Sequence, residues 1–280
     1  MPKPFLMVGC WSISLTVFIF LGGRRKLVMQ NLEQAFPSMT FGQITLTSIK
    51  TINRTIEQGL LVFAWPFLSI KRIEKNITIT KDCINTLNYH RSEKGGTLWL
   101  IPHFCHADSI SFLSKLVLNF KVNALYRPLK NLVFDNFVKK SRQRFGMHMI
   151  NRKDGGMLRT LKVLKQGHVL AMLFDQNAGA AGTRLPFMGR DCSCTTLPDI
   201  LHKKYNPNVF FVYTRRQGFW RSSIEIEKME RLKENEMVIE KANLWLESKL
   251  RDDRNLRESW LWMHKRWKPG SGKTKIRTDD

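Results

Sequence analysis

The stretch TLWLIPHFCHADS, residues 97–109, contains a strand and a turn that together indicate the fold. Five apolar or β-branched residues from Thr97 to Ile101 predict a buried β-strand, which Pro102 ends. A short turn follows, and Ser109 can begin a helix. A strand that leads directly into a helix is the first half of a β-α-β unit, so this stretch favours an α/β fold.

Strand-like segments of the same kind recur along the chain, at 97–101, 122–126, 147–150, 169–174, 209–213 and 223–227. The segments between most of them have the lengths of crossover helices, at 109–118, 129–145, 156–165 and 195–204. We therefore predict an α/β domain with a mostly parallel central sheet flanked by helices. The N-terminal third is predicted to be helical, at 26–36 and 41–63. In such a sheet the ligand site lies at the carboxyl ends of the strands.

Residues 5–22, FLMVGCWSISLTVFIFLG, are eighteen consecutive uncharged positions. As a helix they would be about 27 Å long, close to the hydrocarbon thickness of a bilayer. We predict a membrane anchor at 1–23, which either spans the bilayer or lies in one leaflet, and one domain at 24–268. A cleaved signal peptide is disfavoured because no A-x-A-like site follows. The cations at 24–26 then keep the domain on the cytoplasmic side.

The chain carries 46 Lys and Arg against 23 Asp and Glu, a formal charge of +23 over 280 residues. Such an excess favours an acidic partner, such as nucleic acid, an anionic membrane or a phosphorylated lipid. We expect no nucleic acid, because no zinc finger, RNP aromatic pair or clear helix-turn-helix appears. Five scattered cysteines favour a reducing compartment. We also expect no metal: Cys192 and Cys194 could join Cys105, His103 or His106, but paired ligand spacings are absent.

His103 and Asp108 lie in the turn after the first strand. Across a turn, the Asp108 carboxylate can fold back and accept a hydrogen bond from one nitrogen of the His103 imidazole. The other nitrogen could then take a proton from a hydroxyl nucleophile, which is general-base acyl transfer. The alternative is a structural turn histidine followed by an aspartate that caps the helix. We interpret His106 as a polar surface or loop histidine.

Four other residues are candidates for substrate binding at the same edge. Arg127 and Arg152 each follow a predicted strand, and a guanidinium can bind phosphate with two hydrogen bonds. Alternatively, they pair with Asp175 or another carboxylate and hold the sheet edge together. Asp175 and Gln176 follow the strand at 169–174 in a stretch predicted to be a loop, and Asp175 could orient Arg152 or support His103.

The C-terminal part of the chain contains three tryptophans among cations, Trp260, Trp262 and Trp267. Their rings predict either an interfacial belt at a membrane or ordinary core packing. The sequence alone leaves both interpretations open. Residues 269–280, rich in Gly, Ser and Lys, are predicted to be a disordered basic tail.

Seven segments follow one another in a definite order along about 240 residues of the chain. They are NLEQAFP at 31–37, HFCHAD at 103–108, YRPLKN at 126–131, FGMHMINRKDGG at 145–156, FDQNAG at 174–179, LPFMGR at 185–190 and WLWMHKRWK at 260–268. In these segments the chain resembles the bacterial lipid A biosynthesis acyltransferases, late acyltransferases of the lysophospholipid acyltransferase superfamily. Several motifs in order are much more specific than any one of them.

The resemblance implies a glycerolipid acyltransferase-like fold and a membrane-associated O-acyltransferase. A fatty acyl group would pass from a thioester, on acyl carrier protein or acyl-CoA, to a hydroxyl of an anionic glycolipid, a lipid A precursor. His103 and Asp108 match the catalytic H-x4-D/E pair of the family, although Cys105-His106-Ala107 replaces its usual Gly-Asn-Trp-like filling. The implied location is the cytoplasmic face of the bacterial inner membrane, and no cofactor is expected. The same chemistry on another glycolipid or a lysophospholipid is the close alternative.

Overall fold

Three helices form the N-terminal part of the computed structural model, which describes residues 3–92, 96–116, 121–153, 155–268 and 273–274. They are α1 (Lys3–Phe20), α2 (Gly22–Ala35) and α3 (Phe41–Ala64). A capping box begins α3: the Thr40 hydroxyl accepts from the backbone N–H of Gln43, whose side chain accepts from the backbone N–H of Thr40.

α1 packs along α3, and the side chain of Asn53 donates a hydrogen bond to the Ser14 hydroxyl over 3.2 Å. Only 11% of the helix is buried, and its mean hydropathy is 1.6. By length and composition α1 could cross a membrane, a property that some core helices and signal sequences share. The exposure of its apolar side chains distinguishes it from a core helix.

A seven-stranded sheet forms the centre of the chain, and a small hairpin sheet lies beside it. The strands in chain order are β1 (Ile77–Ile79), β2 (Thr97–Ile101), β3 (Val122–Tyr126), β4 (His148–Asn151), β5 (Val169–Leu173), β6 (Thr183–Phe187), β7 (Arg190–Cys194), β8 (Asn208–Gly218), β9 (Arg221–Lys228) and β10 (Lys273–Thr274). The large sheet has the order β1-β9-β8-β2-β5-β3-β4. Within it only β8 and β9 pair antiparallel, so the prediction of a mostly parallel sheet is confirmed.

Helices cover both faces of this sheet. They are α4 (Ile70–Asn76), α5 (Lys81–Ser92), α6 (Leu113–Leu116), α7 (Leu132–Gln143), α8 (Gly156–Lys165), α9 (Leu197–Tyr205), α10 (Val238–Asp252) and α11 (Arg254–Ser259). Alternate residues of β2 enter opposite hydrophobic clusters: Leu98 and Leu100 pack on one face, and Trp99 and Ile101 on the other. Both faces are therefore buried, which explains why β2 is a continuous apolar run.

The stretch after Asp175 is not simply the loop that its glycines and Pro186 predicted. β6 and β7 form an antiparallel hairpin there. Met188 and Gly189, both with positive φ, make its two-residue turn. Pro186 did not prevent strand pairing: it lies within β6, opposite Asp191 of β7.

The segment at 109–118 is also less regular than predicted. A 3₁₀ turn at Ala107–Phe112 precedes the short helix α6, and residues 117–120 lie outside the part of the chain described here. Of the tail at 269–280, only Lys273–Thr274 is described, and it pairs with β6. Disorder of the remaining tail stays a prediction.

The three C-terminal tryptophans belong to the core. Trp260, Trp262 and Trp267 are all buried, and the rings of Trp260 and Trp262 meet edge to face with centroids 4.6 Å apart. The ring of Trp267 stacks on Phe187 of the hairpin. The interfacial belt is therefore wrong, and the core interpretation is correct, because the hairpin and α10 cover this segment.

Candidate functional site

Two neighbouring strands at the middle of the sheet bring distant residues together. β2 and β5 pair in parallel, with Ile101 opposite Leu173. His103 and Asp175 each lie two residues beyond this pair, so they leave the carboxyl ends of adjacent strands at the same height. This is the edge at which open α/β sheets bind their ligands.

The imidazole of His103 is held by Asp175. Nδ1 of His103 lies 2.5 Å from Oδ1 of Asp175, and the backbone N–H of His103 donates to Oδ2 over 2.8 Å. The Trp260 indole donates to the same Oδ2 over 2.7 Å. The carboxylate is buried, whereas the imidazole is partly exposed. An ionised Asp175 requires the proton on Nδ1, which leaves Nε2 of His103 as the nitrogen that can accept a proton.

Asp175 stays ionised in spite of its burial. Burial alone raises the pKa of this carboxyl, but the electrostatic attraction of His103 and the hydrogen bonds from His103 and Trp260 outweigh it. Its pKa is therefore below its ordinary value. A buried aspartate that orients a partly exposed histidine is an arrangement suited to general-base chemistry.

Asp108 does not make the expected hydrogen bond to His103. Its Oδ2 accepts from the side chain of Gln58 over 2.6 Å, and its Oδ1 accepts from Nε of Arg142 over 2.7 Å. The expectation failed because spacing within a turn does not define direction: the carboxylate points to α3 and α7, and Asp175 takes the place beside Nδ1. A role for Asp108 in the reaction stays a prediction.

His106 lies in the turn after β2, as a loop histidine would, but it is fully buried, so its interpretation as a surface histidine is wrong. It has the left-handed backbone conformation, φ 69°, at the start of the 3₁₀ turn. Its Nε2 lies 2.9 Å from Oε1 of Glu57, and its backbone N–H donates to Gln58. Two successive residues of α3 thus hold the turn that follows His103.

Glu57 itself is the centre of a buried polar network that sequence reasoning missed. Besides His106, Nε of Arg216 donates to its carboxylate over 2.9 Å, and the backbone N–H of Trp220 donates over 2.9 Å. Although burial raises the pKa of Glu57, its bonds to His106, Arg216 and Trp220 lower it below the ordinary value. The available signal was a charged residue on the buried face of an amphipathic helix.

The C-terminal segment supports the loop after β5. The backbone N–H of Asn177 donates to Nε2 of His264 over 2.8 Å, and Arg266 donates to the carbonyl oxygen of Gln176 over 2.9 Å. Together with the bond from Trp260 to Asp175, these contacts fix three successive residues of the loop. Neither His264 nor Arg266 was predicted to be a site residue, although both lie in one of the quoted segments.

Among the described residues, Cys192 and Cys194 do not form a possible metal site with Cys105, His103 or His106. Cys105 and His106 lie near Glu57, close enough for a metal by distance alone, but the Glu57 carboxylate already accepts three hydrogen bonds. The sulfur atoms of Cys192 and Cys194 are 3.6 Å apart in β7. Arg266 donates to Cys194 over 3.1 Å, so these contacts give the pair a structural environment.

A cavity of about 560 Å³ opens beside His103, within the usual size range of small-molecule sites. Arg127 and Arg152 lie in its wall, and so do Asp108 and Gln176. Apolar residues of three strands complete the wall, among them Leu125, Met149 and Met172. The cavity can therefore receive a ligand that is both apolar and anionic.

The two arginines are exposed, and within the described ranges neither makes an ion pair with Asp175 or any other carboxylate. The backbone N–H of Arg152 donates to the carbonyl oxygen of Tyr126, which anchors the chain beside Arg127. The alternative in which the arginines brace Asp175 is wrong, since His103 and Trp260 occupy that carboxylate.

One family of known proteins matches this chain. The match is to the family described as bacterial lipid A biosynthesis acyltransferase and covers residues 1–269. It includes α1, the whole sheet and all six residues that the sequence predicted for the site. A search of the curated proteins found no match.

Proposed function

Since the chain belongs to the bacterial lipid A biosynthesis acyltransferase family, and is thus an acyltransferase, we propose that it transfers a fatty acyl group from a thioester to a hydroxyl of a lipid A precursor. The observation that carries this proposal is the hydrogen-bonded pair of His103 and Asp175 at the wall of an apolar and cationic cavity. No metal or cofactor enters the reaction as proposed.

In the proposed reaction, Nε2 of His103 takes the proton from the acceptor hydroxyl as its oxygen attacks the thioester carbonyl. The bond between the carbonyl carbon and sulfur then breaks. The proton passes from the imidazolium to the leaving thiolate, so that an ester and a free thiol are formed. Asp175 keeps the imidazole in the required tautomer and stabilises the imidazolium.

The cavity wall suggests how the two substrates are held. Arg127 and Arg152 are proposed to bind phosphate of the acceptor, and Gln176 to hydrogen-bond nearby. The apolar wall would take the acyl chain. Asp108 is proposed to position the turn, through Gln58 and Arg142, rather than to touch His103.

The proposed donor is acyl carrier protein or acyl-CoA, and the proposed location is the cytoplasmic face of the bacterial inner membrane. α1 would hold the chain there. Another glycolipid or a lysophospholipid is the alternative acceptor, since the cationic wall binds phosphate in either. Nucleic-acid binding is not proposed, because an apolar cavity beside His103 would play no part in binding a nucleic acid.

Mass spectrometry of total lipids tests this proposal. Cells expressing the wild-type chain should contain a lipid A precursor that is heavier by one acyl group, and cells expressing His103→Ala should not. His202→Ala is a matched control, since His202 is also partly buried but lies on α9 outside the cavity. Acyl transfer by His103→Ala at the wild-type rate would exclude the general-base assignment.

A further inference from the structure

Six apolar side chains, four of them exposed and two partly buried, form a surface where the end of α3 meets α7. They are Phe63, Phe67, Leu132, Val133, Phe134 and Phe137, which we call the α3–α7 surface. The ring of Phe63 lies 5.2 Å from that of Phe134 and 6.0 Å from that of Phe137, between ring centroids. Phe67 is 80% exposed and Val133 is 81% exposed. Clustering at this exposure is unusual for a surface that faces only water.

The charged residues next to this surface in the chain are mostly basic. Lys130, Lys139 and Lys140 flank it on the α7 side, and Lys71 and Arg72 follow Phe67 on the other side. In residues 127–144 the one carboxylate is Asp135, which is buried and accepts from the backbone N–H of Leu129. Apolar side chains beside basic residues suit an anionic bilayer: the apolar side chains can contact the acyl chains, and the basic residues can contact the headgroups.

The α3–α7 surface adjoins one part of the cavity wall. Val62 and Val138 line the cavity and are the chain neighbours of Phe63 and Phe137. A bilayer that covers the surface would therefore lie next to this part of the cavity wall. A lipid acceptor could then enter from the membrane without crossing water.

We propose that the α3–α7 surface is a second lipid-contact site, separate from α1, which inserts into the headgroup region of an anionic phospholipid bilayer. This inference rests on the proposed function in one respect, since it assumes that the acceptor reaches the cavity from a membrane. It makes no use of the acceptor's identity. The proposed partner is lipid rather than protein because exposed apolar side chains and basic residues occur together in these segments, which suits acyl chains and anionic headgroups.

Site-directed fluorescence on the full chain tests the inference. All five native cysteines are buried, so a new surface cysteine can be labelled selectively. Val133→Cys carrying an environment-sensitive fluorophore should shift its emission to shorter wavelength on binding phosphatidylglycerol vesicles. Lipids with a quencher near the headgroup should reduce that emission. Leu244→Cys, on α10 and 61% exposed, is the matched control and should keep its emission in buffer.

The outcomes separate this inference from the proposed function. A protein that sediments with the vesicles while its Val133 label stays in water would overturn the second site and leave the acyltransferase intact. A shift that appears only when acyl carrier protein is added would also overturn it, in favour of a protein-docking surface. Equal shifts with phosphatidylcholine vesicles would remove the role of the basic residues. Melting temperatures equal to the parent would show that the labelled variants fold.

Discussion

Replacing Asp175 by Asn tests which carboxylate orients the candidate base. The change keeps the shape of the side chain but removes the negative charge 2.5 Å from Nδ1 of His103. Two unit charges about 4 Å apart interact by about 4 kcal/mol at an effective dielectric of 20. Loss of that stabilisation of the imidazolium corresponds to a fall of about 10³-fold in kcat. We expect little change in KM, because Asp175 lies behind His103 rather than in the cavity wall.

The assay is transfer of a radiolabelled acyl group to a detergent-dispersed acceptor, with single-turnover measurements to isolate the chemical step. Asp108→Asn is the comparison, since its carboxylate contacts Gln58 and Arg142 and not the imidazole. We expect it to lose less in kcat than the roughly 10²–10⁴-fold of a lost general base, because Asp108 acts only through the position of the turn. The reasoning is refuted if Asp108→Asn is the more impaired variant while Asp175→Asn retains most of the activity.

Three other substitutions test the cavity wall and the buried charges. Arg152→Ala should weaken binding of a phosphorylated acceptor by about 1.5–3 kcal/mol, and the difference from wild type should shrink with a dephosphorylated acceptor in the same KM assay. Burial raises the pKa of Asp199 from 3.8 to about 6, so its folded form binds the proton more tightly, and stability falls as the pH rises through this interval. Asp199→Asn should therefore melt higher than wild type at pH 7.5 and about equally at pH 4; equal melting at both would contradict this. Glu57→Gln should lower the free energy of unfolding by about 3 kcal/mol in urea titrations, because Arg216 loses its buried partner, and an unchanged midpoint would count against the network.

Local signals predicted much of the sheet correctly. The bounds of β2 and β3 agree with prediction, because each is a short apolar run between residues that interrupt regular structure. β1 was missed, since a strand of three residues carries too little pattern. The hairpin of β6 and β7 was missed because Pro186 and the nearby glycines are also typical of loops.

The sequence predicted which residues lie at the candidate site better than it predicted which of them contact one another. His103, Arg127 and Arg152 do lie in one cavity wall, because all follow parallel strands whose carboxyl ends share an edge. The partner of His103 could not be read from spacing. Asp108 is nearer along the chain, whereas the position of Asp175 depends on which strands are neighbours, and that order is a property of the whole sheet.

The shared register of β2 and β5 has a consequence for how such a protein could diversify. The chain between these strands includes β3, α7 and β4, which supply part of the cavity wall. The paired strands β2 and β5 fix the points where this stretch begins and ends. Insertions or deletions in the chain between β2 and β5 can change the shape of the cavity, since a longer loop costs little free energy. The distance between the His103 imidazole and the Asp175 carboxylate would stay the same. The pairing of β2 and β5 therefore sets the geometry of the His103–Asp175 pair, whereas the residues between these strands can change the shape of the cavity independently.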